Sequence, residues 1–149
     1  FSLERDEVLQ YDTRAPQRNG ATLSALAAAD AVVVVGSSEP LGIQRLVHGL
    51  ADLDEVVPAD VTPRIVVVNK VRASVAGSRP REAVADALAR YASVSQVWTV
   101  SWDPRGCDAA TLAGQALGGR SPRSPARKSI QAIARAAHEA AAVEARARV

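Results

Sequence analysis

The sequence has little cysteine, no methionine and no long hydrophobic run. Its single cysteine among 149 residues excludes a disulfide-stapled scaffold and a zinc site built from several cysteines. No apolar run approaches the ~20 residues that a membrane-spanning helix needs. The missing methionine and the start in mid-pattern at Phe1 lead us to expect a fragment of a longer chain. Because 48% of the residues are hydrophobic and 23% are charged, we still expect a folded core.

The charge of the chain changes sign near its C-terminus. Residues 1–119 carry 11 basic and 14 acidic side chains, whereas residues 120–149 carry 7 basic and 2 acidic ones. Residues 118–125 are rich in glycine, serine and proline, a composition typical of linkers. We therefore predict one domain, with a body over residues 1–119 and a basic linker and C-terminal helix over residues 120–149.

Four short apolar runs predict β-strands. Residues 31–36 and 65–69 form continuous β-branched runs, which are typical of parallel strands that are covered on both faces. Weaker runs lie at residues 96–101 and 8–11. The chain is therefore expected to contain a mostly parallel sheet.

Segments with helical spacing separate these runs. Residues 21–29 and 41–53 have amphipathic patterns, and in the second segment the leucines, Leu41 among them, lie on or near one side. Further helices are predicted to begin near Pro80 and Pro125. Alternating strands and helices predict an α/β fold of three layers, a doubly wound parallel sheet with helices on both faces.

Polar residues follow the predicted strands. Ligands bind at the carboxyl ends of the strands of an open parallel sheet. Asp12, Asn69 and residues 102–104 occupy such positions. An aspartate there can hold a Mg²⁺-bound water, and an asparagine amide offers a donor and an acceptor to a base. The alternatives are that Asp12 caps a turn and that Asn69 is a turn residue.

Four blocks of sequence, in this order, carry a family resemblance. They read YDTRAPQRNGATLSALAAADAVVVVGSSEP, IVVVNKV, SWDPRGCDAATLAGQAL and SPRSPARKSIQAIARAA. Together they resemble the later two-thirds of the MinD/ParA-type (SIMIBI class) P-loop ATPases, and the CpaE-like branch most closely. The resemblance implies a P-loop NTPase-like fold, here as a partial domain without the phosphate-binding loop.

The resemblance also implies roles for individual residues. Asp12 matches the catalytic aspartate that acts through water and Mg²⁺ near the γ-phosphate of ATP. Asn69 matches the asparagine that binds the adenine base, and Lys70 accompanies it. Asp103 and Pro104 match the loop that covers the base.

Two further positions bear on the base. In GTPases with the N-K-x-D pattern, an aspartate two positions after the lysine pairs with guanine, and here that position is Arg72. Adenine is therefore the expected base. Trp102 is a further candidate for contact with it, the alternative being a tryptophan packed at the rim of the fold.

The family's glycine-rich phosphate-binding loop with its lysines is absent from the 149 residues. We expect it upstream in a longer parent, which would be an ATPase active in positioning, septum-site selection, partitioning, or pilus or secretion assembly. The alternative is a catalytically silent scaffold of the same fold in the same kind of system. This stretch of sequence by itself is not expected to hydrolyse ATP.

The resemblance implies partners as well. It implies an ATP-dependent homodimer, protein partners in division, pilus or secretion machinery, and a cytoplasmic protein that reaches the inner membrane peripherally through such partners. A helix from Pro125 would place Lys128, Gln131, Arg135 and His138 on one face and Ile130 with other apolar residues on another. The basic face suggests DNA binding through residues 120–149, the alternative being a solvated helix surface. Membrane binding by this segment is not expected, because its apolar residues are small.

Overall fold

The computed structural model describes residues 19–57 and 62–147. Three strands lie in these ranges: β1 (Val32–Ser37), β2 (Arg64–Val71) and β3 (Val97–Ser101). The helices are α1 (Gly20–Ala27), α2 (Pro40–Val56), α3 (Ala73–Ala76), α4 (Pro80–Ala92), α5 (Pro104–Leu112), α6 (Leu117–Arg120) and α7 (Pro125–Ala147). The predicted strand at residues 8–11 and Asp12 lie outside the described residues.

The sheet is parallel and has the order β1-β2-β3. All three strands lie where β-branched runs predict them. Neighbouring strands and helices bury both faces of β2, which accounts for its continuous apolar sequence. The α/β class predicted from alternating runs is confirmed for the described part of the chain.

Helices cover both faces of the sheet. On one face α2 and α4 pack against β2 through Leu46, Leu50, Val66, Val68, Val71, Val84 and Leu88. On the other face α7 packs against β2 and β3 through Ile65, Val67, Val100, Ala126 and Ile133. Residues of β2 alternate between the two clusters, as the period of two in a strand requires. This arrangement gives three layers, as predicted.

Proline starts several of the helices. It is the first residue of α2, α4, α5 and α7, where its missing N–H needs no partner. Ser124 precedes α7, and its Oγ accepts a hydrogen bond from the backbone N–H of Arg127 at 3.1 Å. The segment from 118 to 125, predicted as a linker, contains part of the short helix α6 and the cap of α7.

Two residues from the predicted apolar faces of helices are exposed. Leu41 of α2 is 56% exposed and Ile130 of α7 is 50% exposed. Their helices cover β1 and β3, the two outer strands of the three. The sheet among the described residues ends there, so the outer flank of each helix has no strand beneath it. No helix in the described ranges has the length and apolar character that crossing a membrane would require.

Candidate functional site

The carboxyl ends of the three strands meet at one edge of the sheet. Residues 37–39 end β1 and lead into α2, residues 69–72 end β2, and residues 101–103 end β3 and lead into α5. Parallel pairing brings these ends together, because all three strands run in the same direction.

A bulge shapes the end of β2. Val68 pairs with Thr99 and Val71 with Ser101, so Asn69 and Lys70 together oppose one residue of β3. The sequence predicts that β2 ends at Asn69, but the strand continues to Val71. The backbone N–H of Trp102 donates to the Val71 carbonyl at 3.1 Å, which extends the pairing past the bulge.

Asn69 is anchored at this bulge by both its backbone and its side chain. Its carbonyl accepts a hydrogen bond from the Ser38 N–H at 3.0 Å, and its Oδ1 accepts one from the Lys70 N–H at 2.7 Å. Its Nδ2 has no hydrogen-bond partner among the described residues. The half-buried amide therefore presents two donor hydrogens and the second lone pair of Oδ1.

Two cations from the end of β2 lie near the ring of an exposed tryptophan that follows β3. Trp102 is 46% exposed. The Lys70 Nζ lies 5.7 Å and the Arg72 Cζ lies 5.4 Å from the centroid of its ring, both within cation–π range. Of the residues predicted for the site, the structure thus places Lys70 against Trp102, and the backbone N–H of Lys70 binds Asn69.

Glu39 completes this group. Its Oε1 lies 3.4 Å from the Arg72 Nη1. A hydrogen bond from the Ser37 side chain, its own backbone amide and the charges of Arg72 and Lys70 lower the pKa of Glu39 from its ordinary value. Glu39 was not predicted as a site residue. Its position directly after the β1 run is the signal that could have found it.

Asp103 and Pro104 have a structural role at the start of α5. The Oδ1 of Asp103 accepts a hydrogen bond from the Gly106 N–H at 3.0 Å, and its Oδ2 accepts one from the Ser124 hydroxyl at 2.5 Å. These bonds, that from Ser124 first, lower the pKa of Asp103 from its ordinary value. Pro104 is the first residue of α5. The carboxylate of Asp103 thus links the start of α5 to that of α7.

A cleft of about 460 Å³ lies beside this edge, between the outer side of β1 and α2. It is lined by Ser37, Glu39, Leu41, Arg45 and neighbouring residues. Its volume falls within the range of small-molecule sites. The lining does not include Asn69 or Trp102, so the cleft adjoins the group around Trp102 without enclosing it.

The described residues contain no cluster of three or more histidine, cysteine, aspartate or glutamate side chains that could hold a metal ion. Asp12, the predicted partner of Mg²⁺, lies outside these residues. The basic face predicted for α7 is solvent-exposed at Lys128, Gln131, Arg135 and His138.

Comparison with known proteins gave no assignment. No protein-family model matches the chain, and a search of curated proteins found no match.

Proposed function

We propose that this chain is the base-binding part of an ATP-binding and ATP-hydrolysing protein similar to MinD, ParA and CpaE. Such a protein would act in positioning, septum-site selection, partitioning, or pilus or secretion assembly, as an ATP-dependent homodimer. The observation that carries the proposal is the Asn69 amide, anchored at the carboxyl edge of a parallel sheet, where the side chain of the next residue, Lys70, lies over the exposed Trp102 ring.

The amide of Asn69 suits adenine. Adenine carries an N–H₂ donor next to the N7 acceptor, and an asparagine amide can satisfy both at once. Guanine presents two acceptors at the same edge, O6 and N7, and one of them would face the Oδ1 of Asn69. Nucleobases also stack on exposed aromatic rings, which gives Trp102 a role beside the amide.

Lys70 and Arg72, the two cations near Trp102, give little preference for guanine over adenine. Arginine and lysine are the side chains that most often bind O6 and N7 of guanine. Arg72, however, already faces Glu39 at 3.4 Å and the Trp102 ring at 5.4 Å. A guanine base would have to compete with both interactions.

The phosphates would be bound elsewhere. We propose that Asp12, which lies outside the described residues, and a glycine-rich loop that is not among the 149 residues hold the triphosphate and Mg²⁺, which would neutralise charge on the phosphates. Asn69 and Trp102 would then fix the base, and Arg72, held by Glu39, would support the Trp102 ring. Protein partners, and DNA through the basic C-terminal segment, belong to the same proposal.

Binding of radiolabelled ATP to the natural full-length protein tests the proposal. We expect Asn69→Ala to weaken ATP binding about tenfold or more, because the bidentate contact to adenine is lost. Gln96→Ala is the matched control, since Gln96 is an exposed amide at the opposite end of the sheet. Equal binding by the wild type and Asn69→Ala would remove Asn69 from the site.

Hydrolysis separates the proposed ATPase from a catalytically silent scaffold. Phosphate release that is lost in Asp12→Ala, with ATP binding retained, is the result expected of the ATPase. A wild-type protein that binds ATP and releases no phosphate would support the scaffold instead.

A further inference from the structure

The backbone of Lys70 has an unusual conformation for a residue within a strand. Its φ is +60°, in the left-handed region that residues with a Cβ rarely adopt. Ser93 also has a positive φ, but it ends α4, where such a conformation is common. Asn19, before α1, is an asparagine, a residue type that adopts positive φ more readily than lysine. A strained residue inside a strand persists only where its surroundings hold it.

Ser38 holds Lys70 in this conformation through hydrogen bonds. This serine is only 4% exposed, and its Oγ donates a hydrogen bond to the Lys70 carbonyl at 2.8 Å. Its backbone N–H donates to the Asn69 carbonyl at 3.0 Å. One residue at the end of β1 therefore fixes both carbonyls of the bulge in β2.

The conformation of Lys70 determines how Asn69 is presented. The Lys70 N–H donates to the Asn69 Oδ1 at 2.7 Å, so the amide is oriented by the backbone of the next residue. Relief of the positive φ would turn the Asn69–Lys70 peptide, so the Lys70 N–H would turn with the Asn69 carbonyl and the amide would lose its anchor. Recognition of a base edge by an amide depends on such a fixed donor–acceptor orientation.

We propose that Ser38 is a positioning residue for base recognition, because it holds Lys70 in the left-handed conformation that orients the Asn69 amide toward adenine. The inference rests on the proposed function, since it assigns to Ser38 the selectivity of that same site. Ser38 itself does not touch the nucleotide.

A merely structural role for Ser38 makes a different prediction. A hydroxyl that only ties β1 to β2 would change stability when removed, with ATP and GTP affected equally. A positioning role changes the ratio of the two affinities. A glycine at position 70 should also remove the need for Ser38, because glycine adopts positive φ without a steric penalty.

The test measures the ATP and GTP affinities of the natural full-length protein by competition against a fluorescent ATP analogue. We expect Ser38→Ala to reduce the preference for ATP over GTP about tenfold. Lys70→Gly removes a side chain of the site and can change the nucleotide affinities by itself. Its preference for ATP over GTP is therefore compared with that of Ser38→Ala/Lys70→Gly and not with that of the wild type. These two variants should share the same preference, because with glycine at position 70 the Ser38 bond is no longer required.

The outcomes distinguish this inference from the proposed function. Wild-type protein that binds ATP with a preference unchanged in Ser38→Ala overturns the role of Ser38 and leaves the proposed function in place. Wild-type protein that binds neither nucleotide overturns both. If Ser38→Ala does not fold, a folded Ser38→Ala/Lys70→Gly with the preference of Lys70→Gly supports the inference, and a double variant that also fails to fold overturns it.

Discussion

The carboxylate of Asp103 connects the starts of two helices. It lies between β3 and α5, accepts the Gly106 N–H as the N-cap of α5 and accepts the Ser124 hydroxyl at the start of α7. A charged acceptor makes stronger hydrogen bonds than a neutral one, so ionised Asp103 holds both helices. The arrangement stabilises the segment that follows Trp102.

Stability should therefore depend on the ionisation of Asp103. Because its folded-state pKa is lowered, Asp103 stabilises the fold above its unfolded-state pKa, and this stability is lost as pH falls through the folded-state pKa. Asp103→Asn keeps an N-cap residue but loses the charge. We expect the variant to be less stable than the wild type at pH 7, with the difference shrinking below about pH 4.

Urea denaturation across this pH range measures the effect. Asp108→Asn is the control, because Asp108 is an exposed aspartate of the same helix and does not cap it. A wild-type advantage over Asp103→Asn that stays constant from neutral to acidic pH would contradict this account of the carboxylate.

At the scale of elements, α2 lies close against the end of β1. A Cβ on Gly42 would lie 2.6 Å from the Ser37 carbonyl oxygen, a contact with backbone that cannot easily move. Gly49, seven residues later in the same helix, has no atom within 4 Å of the Cβ position apart from its chain neighbours and the backbone of its own helix. The close approach at Gly42 brings the start of α2 next to Ser38 and Glu39.

These two glycines should respond oppositely to alanine. Gly42→Ala is expected to lower the free energy of unfolding by about 1–3 kcal/mol, because helix and strand must separate. Gly49→Ala is expected to raise it by up to about 1 kcal/mol through helix propensity. Thermal or urea unfolding of both variants checks the prediction, and a similar loss in both would show that packing at Ser37 is not the cause.

The elements were largely predictable from local sequence, and the details of the site were not. Continuous β-branched runs predict β1 and β2, and prolines mark the starts of α4 and α7, because these signals act within a few residues. The bulge at Lys70 results from the pairing of β2 with β3. The bond from Ser38 to Lys70 joins residues 32 positions apart, so no local pattern indicates it.

The same difference between local signals and contacts across the fold applies to the candidate site residues. Asn69 was predicted from its position near the end of an apolar run, and Lys70 from the family resemblance. The interaction of Arg72 with Glu39 and Trp102 depends on three strand ends meeting, and only the fold shows it. The carboxylate of Asp103 was predicted for a base-covering loop, and the structure shows it capping α5.

For the molecule as a whole, the most exposed apolar feature of the described sheet is the face of its outer strand β1 that carries Val33 and Val35. Val33 is 43% and Val35 60% exposed, and the strand carries neither a charge nor a proline. Proteins usually protect edge strands with such residues, because an unprotected edge pairs with other chains. The described sheet therefore has one edge suited to further pairing.

A charge on that edge should reduce self-association. We expect Val35→Lys to lower the fraction of oligomer or aggregate seen by sedimentation velocity at a given concentration, because lysine disfavours pairing between edges. Leu112→Lys is the control, since Leu112 is 90% exposed but lies on α5. An equal effect of both variants would indicate a general effect of charge and not pairing through β1.

The central claim is that the Asn69 amide binds adenine, and its side-chain signals in a ¹H–¹⁵N spectrum test it most directly. Asn69→Asp lacks the Nδ2 group, so the pair of signals missing from that variant identifies Asn69. During titration of the wild type with ATP, we predict that this pair shifts progressively to saturation, and that GTP at the same concentrations shifts it much less. Signals of Asn69 that stay in place while ATP binds elsewhere on the protein would contradict the claim.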